Sequence, residues 1–334
     1  MIKLGVIYGG TSTEHEISIK SANSILENLN KEKYEIYPIF IDKDGTWYDK
    51  KKEQKIEKIV DNLKKLDIVF PVLHGLGGED GTIQGLFELF NIKYVGCKVL
   101  SSSIGMDKAY TKLIFEKANI NQAKYIYIKK YENKYIYIDD SLNEIELSIN
   151  ELINKIEKKI KYPIFVKPSN SGSSIGINKA KNKEELINNI IIAGKYDNKI
   201  LIEQAIIGKE VECAILGNSK IGVEVSSVGE VLPADEFYSF DAKYKNKESK
   251  TIIPAQITKE QIEEVKKITE KAFKAIDGNG LARVDFFVEN KTGKIYISEI
   301  NTMPGFTSRS MYPKLFEACG YKYSELLNKI IEIN

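Results

Sequence analysis

The stretch LARVDFFVENKTGKIYISEIN, residues 281–301, sets two apolar alternations around a polar turn and reads as a β-hairpin centred near Thr292. Asp285 stands seven residues before that centre and Glu299 seven after, so the register places them opposite each other. Arg283 and Asn301, nine on either side, share their face by the two-residue period. Opposed side chains in an antiparallel pair have Cβ atoms ~5 Å apart, and two carboxylates that close repel unless something positive sits between them. Two readings follow. Either this is a solvated polar strand end in which Arg283 pairs with Asp285, or it is a divalent-cation site. Asp, Glu and an Asn carbonyl are hard oxygen ligands suited to Mg²⁺, which keeps waters and shares phosphate oxygens. In the second reading Arg283 stabilises charge on a transferring phosphoryl group or an oxyanion. The chain runs on as TMPGFTSRSMYP, where Gly305 lets backbone N–H groups approach a ligand and Thr307, Ser308, Arg309 and Ser310 supply donors. That composition fits an oxyanion or carboxylate pocket, and the combination favours magnesium with phosphate.

Outward from the hairpin, the first hundred residues alternate strand and helix signals. KLGVIY, YEIYPIFID, DIVFPVL and KYVG read as strands, and ISIKSANSILENLN and GTIQGLFELFN as helices, which implies a parallel sheet with helices on its faces. A helical stretch follows from Asp107 to Ala118, then a Tyr-, Ile- and Lys-rich region from Tyr125 to Lys161. YPIFVKP and KILIEQAI are strands around the helix KEELINNIIIA, and VECAILG and KIGVEVSSV are strands joined by GNSK. Residues 230–257 are polar and aperiodic, the length of a lid or binding loop. A long helix (KEQIEEVKKITEKAFKAI), the hairpin and a closing helix complete a chain of α/β and α+β class.

The totals narrow the function. With 334 residues there is room for two or three domains. A net charge of +2, from 49 basic and 47 acidic residues, gives no electrostatic footprint for nucleic acid or a membrane surface. Three isolated cysteines make neither a disulfide framework nor a zinc cluster, and two histidines exclude a His-rich metal site. The sequence shows no signal peptide and no run of 18 apolar residues, so a cytoplasmic protein without membrane insertion is expected.

No G-x-x-x-x-G-K-[ST] occurs, and no G-x-G-x-x-G follows a strand. Instead the strand ending in Lys167 runs into SNSGSSIG, where Gly172 and Gly176 permit unusual backbone angles and the serines, Ser173 and Ser174 among them, offer donors that can cradle phosphate. A Gly/Ser loop by itself is more often only a turn. Lys108, in GMDKAYTK, is a second candidate cation, and LIEQAIIGKE offers Glu203 and Glu210 to a ribose hydroxyl or an adenine amine.

The pieces GGTSTEHEIS, HGLGGEDGTIQGLFE, MDK, VKPSNSGSSIG, FYSFDAKY, ARVDFF and EINTMPGFTS occur in that order. In this combination the chain resembles the D-alanine–D-alanine ligases of the ATP-grasp superfamily. The resemblance implies an N-terminal Rossmann-like parallel-sheet domain (1–103) followed by a two-part ATP-grasp fold. Its central subdomain would be 104–203, and its C-terminal domain 204–334 would carry the lid 230–257. It implies ATP and two D-alanines as substrates, two Mg²⁺ ions (Mn²⁺ as substitute) held by Asp285, Glu299 and Asn301, and a homodimer. Lys108 and Lys167 would contact phosphates beneath Ser173 and Ser174, with Glu203 at the adenine hinge and Glu210 at the ribose. Gln204, where many relatives have Lys, departs from the pattern and touches nucleotide affinity. Glu14 would receive the ammonium of the first D-alanine, near His74 and Glu79. Ser310 and Lys243 would fix the carboxylate of the second, and Tyr244 would latch the lid toward Ser173 and Glu14. Arg283 and the N–H of Gly305 would stabilise the tetrahedral oxyanion.

Plainer readings stand beside these. Thr13-x-x-Glu16 makes a capping box, and HGLGGEDG is also a glycine-rich loop after a strand. FYSFDAKY reads equally as hydrophobic loop anchoring. A D-alanine–D-serine ligase of the vancomycin-resistance type is the alternative activity, since a small pocket rejects an added hydroxyl only ~10²-fold. Tyr244 argues against a D-lactate ligase, which has histidine there. A non-catalytic nucleotide-binding module on the same fold is the rival of another class.

Overall fold

Residues 1–232 and 250–334 are described by the computed structural model. Three sheets succeed one another along the chain. The first comprises β1 (Ile2–Gly9), β2 (Tyr34–Ile41), β3 (Trp47–Asp49), β4 (Gln54–Lys55) and β5 (Ile68–Val72) in the order β4-β3-β2-β1-β5. β1 pairs in parallel with both β2 and β5. Such a strand is covered on both faces, and accordingly residues 4–9 of β1 are all buried. Helices α1 (His15–Asn28), α2 (Ile59–Leu63), α3 (Thr82–Leu89) and α4 (Val99–Met106) accompany it. The expected parallel sheet thus has an antiparallel edge, since β2 turns back into β3 and β4. KYVG forms no strand; Tyr94 makes one isolated bridge to Val69. The capping box does not form either: Glu14 is the N-cap of α1 and makes no side-chain cap bond.

The second sheet is antiparallel, in the order β10-β9-β11-β6-β7-β8. After α5 (Lys108–Lys117), the Tyr/Ile/Lys-rich region folds as a meander, β6 (Tyr125–Tyr131), β7 (Lys134–Ile138) and β8 (Glu144–Leu147), and then α6 (Ile149–Lys159). β9 (Ile164–Pro168), β10 (Asn178–Ala180), α7 (Lys183–Ala193) and β11 (Lys199–Gln204) follow. The two-residue period sorts its faces. Ile126, Ile128, Ile164, Val166, Ile200 and Ile202 form a core with residues of α6 and α7. Tyr127 and Leu201 on the other face pack on Ala109 of α5, and that face also carries Lys167 and Glu203.

The third sheet, β14-β13-β12-β15-β16, is antiparallel too. It contains β12 (Gly208–Asn218), β13 (Gly222–Leu232), β14 (Lys250–Ile252), β15 (Gly280–Glu289) and β16 (Ile295–Asn301). The amphipathic α8 (Lys259–Ala275) buries Val265, Ala272 and Phe273 against Val211, Cys213, Val284 and Phe286. The loop expected over 230–257 contains strand among its described residues. Glu230–Leu232 finish β13 and pair with β14, and short polar strands of this kind lack a readable period. The chain closes with α9 (Met311–Glu317) and α10 (Tyr323–Glu332). Their apolar faces return to the first sheet, where Leu4, Val6, Phe70, Phe306, Tyr312, Leu327 and Ile331 share one core. Among the described residues, no helix is long and apolar enough to cross a membrane.

Candidate active site

At the hairpin, Arg283 faces Asn301 and Asp285 faces Glu299, the pairing expected from the sequence. A bulge makes it so. From Phe286 to the turn the partners are one residue closer, Phe286 to Ile297 and Val288 to Ile295, and the register shifts between Asp285 and Phe286. An extra residue of this type re-aims side chains beside functional sites. Arg283 binds Asp285 with both prongs, Nε to Oδ1 at 2.7 Å and Nη2 to Oδ2 at 2.7 Å, and Asn301 Nδ2 donates to Oδ2 at 3.1 Å. The first of the two sequence readings foresaw this ion pair, but not its surroundings, because Asp285 is only 4% exposed. Across the sheet, Glu212 of β12 faces Asp285 and lies 2.9 Å from Arg283 Nε. Burial opposes the charge on Arg283, yet Asp285 and then Glu212 outweigh it and hold the guanidinium well above its ordinary pKa. Lys108 Nζ stands 3.8 Å from Glu299. Each opposed carboxylate thus has a cation beside it.

Among the described residues, no three His, Cys, Asp or Glu side chains form a metal cluster. The donor set at the hairpin is two carboxylates with the Asn301 amide, all hard oxygen donors. It fits a divalent ion that completes its shell with water and phosphate, and Asp285 would exchange Arg283 for the metal.

Opposite the hairpin, α1 begins at the buried Glu14. Ser173 Oγ donates to its Oε1, while Oε2 has no hydrogen-bond partner among the described residues. Backbone crowds that oxygen: a Cβ on Gly172 would come within 2.2 Å of Oε2, and one on Gly75 within 2.7 Å. Gly75 N–H donates to Glu79 Oε1 at 2.7 Å. Burial, and then the neighbouring Glu14, push the Glu79 carboxyl up to about 8, so it is protonated at neutral pH. A buried acceptor left without a partner is one that an ammonium group entering the cavity would satisfy.

His74 lines the same cavity, but both ring nitrogens are occupied. Nδ1 lies 3.0 Å from the Met303 carbonyl, which can only accept, so Nδ1 carries the proton. Nε2 then accepts from Ser21 Oγ at 3.0 Å, and Ser21 in turn accepts the Phe306 N–H at 3.2 Å. This chain ties the Met303–Phe306 turn, with Gly305 inside it, to α1. Burial holds the imidazole below its usual pKa, in keeping with a neutral ring. Ser310 Oγ accepts from Thr307 N–H at 3.0 Å, and a Cβ on Gly305 would meet it at 2.7 Å.

The Gly/Ser loop is a strained turn. Ser173 and Ser174 have φ of 50° and 59°, left-handed values uncommon for serine, and Gly176 follows at 73°. Asp107 caps α5 by accepting from Ala109 and Tyr110 N–H, which directs Lys108 at the loop, where its Nζ donates to Ser171 O at 2.5 Å. Further along, Lys167 pairs with Glu203.

Glu14, His74, Glu79, Ser173, Arg283, Glu299, Asn301, Gly305 and Ser310 line one cavity of about 530 Å³, together with Glu212 and Arg309. Lys108 and Ser174 line a 40 Å³ cavity that shares Glu79, Ser173, Glu299 and Asn301 with it. Lys167, Glu203, Glu210 and Asp285 line neither. Lys243 and Tyr244 lie outside the described residues. Sequence reasoning missed Ser21, Glu212 and Lys112. The available signals were a small polar residue on the buried stripe of α1, a second acid two residues after Glu210 on one strand face, and a lysine one helical turn beyond Lys108.

Two family models match: D-ala D-ala ligase N-terminus over residues 3–64 and 49–97, and D-ala D-ala ligase C-terminus over 114–332. The D-alanine–D-alanine ligase of Acetivibrio thermocellus is 48% identical, over 98% of this chain and 94% of its own length. That of Clostridium acetobutylicum is 45% identical, over 99% and 97%. Among solved structures, the VanG D-Ala:D-Ser ligase from Enterococcus faecalis superposes with TM-score 0.84 at 35% identity, covering 99% of both chains. The D-alanine–D-alanine ligase from Coxiella burnetii gives 0.82 at 31%, covering 99% of this chain and 93% of that one. The architecture is accordingly the ATP-grasp fold, and the chain belongs to the D-alanine–D-alanine ligase family.

Proposed function

We propose that the chain joins two D-alanines to D-alanyl-D-alanine for peptidoglycan precursor synthesis, converting one ATP to ADP and phosphate by way of an acyl phosphate. The observation that carries this reading is the arrangement around the 530 Å³ cavity, with the buried Oε2 of Glu14, unpartnered among the described residues, on one side and the Arg283, Gly305 and Ser310 donors on the other. Glu14 would take the ammonium of the first D-alanine, beside a neutral Glu79 that adds no second charge. Its carboxylate then attacks the γ-phosphate, and ADP leaves. Lys108, Lys167 and Arg283 spread the developing charge, with the Ser173–Ser174 loop folded over the phosphates. The amine of the second D-alanine, its carboxylate on Ser310 and Lys243, attacks the acyl carbon. Arg283 and the Gly305 N–H hold the tetrahedral oxyanion until phosphate departs and the new amide loses its extra proton.

Two Mg²⁺ ions, or Mn²⁺ in their place, would be held by Asp285, Glu299 and Asn301, and would supply positive charge against the developing phosphate charge. An acyl phosphate hydrolyses in water, so Tyr244 latching the segment over the cavity would protect it. The domain limits 1–103, 104–203 and 204–334, a homodimer and a cytoplasmic location belong to the same reading. D-serine at the second subsite is the alternative, and the VanG likeness is its support. The higher identities to D-alanine–D-alanine ligases favour D-alanine. Phosphate release is measured with D-alanine alone and then with equal D-serine or D-lactate, with products identified by mass. Mostly D-alanyl-D-alanine is expected. Mostly D-alanyl-D-serine would transfer the assignment to the alternative, and no phosphate under any condition would end the enzyme reading.

A further inference from the structure

Lys112 has no part in the scheme above, yet it is among the most buried charges of the chain, its side chain 3% exposed. It stands one turn after Lys108 on α5, on the same helix face. Whereas Lys108 reaches the Gly/Ser loop, Lys112 Nζ lies 2.9 Å from Glu203 Oε2. Lys167 holds the other oxygen, Oε1. One carboxylate therefore has two lysines, both charges desolvated with it, where one would neutralise it. Such an arrangement costs more than a single pair, so the second cation requires a reason.

We infer that Lys112 is a positioning residue for the nucleotide base, keeping Glu203 an ionised hydrogen-bond acceptor once Lys167 has left it for the phosphates. This rests on the reading that puts adenine at Glu203 and phosphate at Lys167. Lys167 cannot serve both ends at once. Were it the sole counter-ion, ATP would strip it away and leave a buried carboxylate unpaired, which takes up a proton instead. A protonated Glu203 presents an O–H toward the base. That donor opposes the 6-amino group of adenine and suits the 6-oxo group of hypoxanthine or guanine.

Lys112 is built to stay. Its main-chain carbonyl accepts from Gln122 Nε2 at 2.8 Å, and its ammonium lies 5.4 Å from the Tyr125 ring centroid. Among the described residues, the groups facing Glu203 are Lys112 from α5, Lys167 and Phe165 from β9, and Tyr125 from β6. The Tyr125 hydroxyl is directed to Glu116, at 2.7 Å. Among the described residues, Lys112 is thus the cation that remains when Lys167 turns.

The test compares KM and kcat for ATP and for ITP at saturating D-alanine and Mg²⁺, in the full-length wild type, Lys112→Met, Lys112→Arg and Glu203→Gln. Lys112→Met should raise the ATP KM ~10-fold or more, the scale of a lost hydrogen bond to a charged group, with KM rising more than kcat falls. Its preference in kcat/KM should move toward ITP by a similar factor, and Lys112→Arg should restore most of the ATP preference. A purely structural lysine would not change the order of bases. If Glu203→Gln leaves ATP KM unchanged, the hinge reading itself fails. If Glu203→Gln weakens ATP while Lys112→Met keeps the wild-type ATP-to-ITP ratio, the hinge stands and the inference about Lys112 is overturned. Should Lys112→Met not fold, the double variant Lys112→Met/Glu203→Gln decides. Recovery of the fold with the base preference of Glu203→Gln supports the inference, and failure to fold without that carboxylate overturns it.

Discussion

Replacing Ser21 by alanine removes one oxygen atom and breaks the chain that fixes the Gly305 turn. Ser21 is fully buried; it accepts the Phe306 N–H at 3.2 Å and donates to His74 Nε2 at 3.0 Å. Alanine leaves both groups without partners. Each orphaned buried group costs ~1–3 kcal/mol, so the pair costs about 2–6 kcal/mol, toward the lower figure where a water enters. Unfolding entropy of ~2.1 cal/mol/K per residue gives about 0.7 kcal/mol/K for 334 residues. A loss of ~3 kcal/mol therefore lowers Tm by about 4 °C. The kinetic effect is separate: a turn held ~1 Å out of place costs on the order of 10²-fold in rate. We expect kcat for ADP release to fall ~10–100-fold with the ATP KM little altered, because the residues proposed to hold the nucleotide lie elsewhere. The assays are scanning calorimetry and coupled ADP release on the same preparations. A Tm within ~1 °C of wild type together with an unchanged kcat would refute the reasoning. A lowered Tm with normal kcat would show that the turn is positioned by other contacts.

Gly172→Ala puts a methyl 2.2 Å from Glu14 Oε2. It should raise KM for the first D-alanine ~10-fold or more, as overpacking by ~1–3 kcal/mol implies, and initial rates against D-alanine at saturating ATP read it. Glu299→Gln should raise the magnesium concentration needed for half-maximal rate; an unaltered titration would move the metal away from the hairpin. Glu79 carries the pH prediction. Its folded carboxyl holds its proton up to about 8 against 4.5 ordinarily, so its stabilising share is complete below pH 4.5 and is lost as pH rises through about 8. Between those values the wild type should lose up to ~1.4 kcal/mol per pH unit relative to Glu79→Gln, measured as the difference in Tm between the two from pH 5 to 9.

The parts of this molecule legible in its sequence are those in which period and chemistry coincide. The hairpin is the clearest case, since its alternation placed Asp285 across from Glu299. That opposition owes something to a bulge near Asp285 that alternation cannot reveal; without it the simple count from the turn would have been one residue off. The long helices were legible for the same reason, whereas the β3–β4 edge and β14 were too short and polar to repeat a period. Within the site, the sequence marked residues whose type advertises chemistry: Glu14, Lys167, Arg283. It did not mark Ser21, Lys112 or Glu212. Their importance comes from a partner supplied by a distant segment, as Ser21 meets Phe306 and Glu212 meets Arg283. The local pattern shows where such a residue points, but not the distant partner that gives it a role.

The core shared by the first sheet and the last helices has a consequence for the making of the protein. Leu4, Val6 and Phe70 leave the ribosome early, followed by Ala22, Ile25 and Leu29 of α1, but Phe306, Tyr312 and Leu327, which complete their core, are translated only after all three sheets. At ~5–20 residues per second the core of β1, β5 and α1 stays incompletely covered for on the order of ten seconds to most of a minute. During that interval the nascent chain presents a sticky sheet surface to chaperones or to its neighbours. Slower elongation late in the message should therefore reduce the soluble yield, and supplying the last segment as a separate peptide should rescue a chain cut before it.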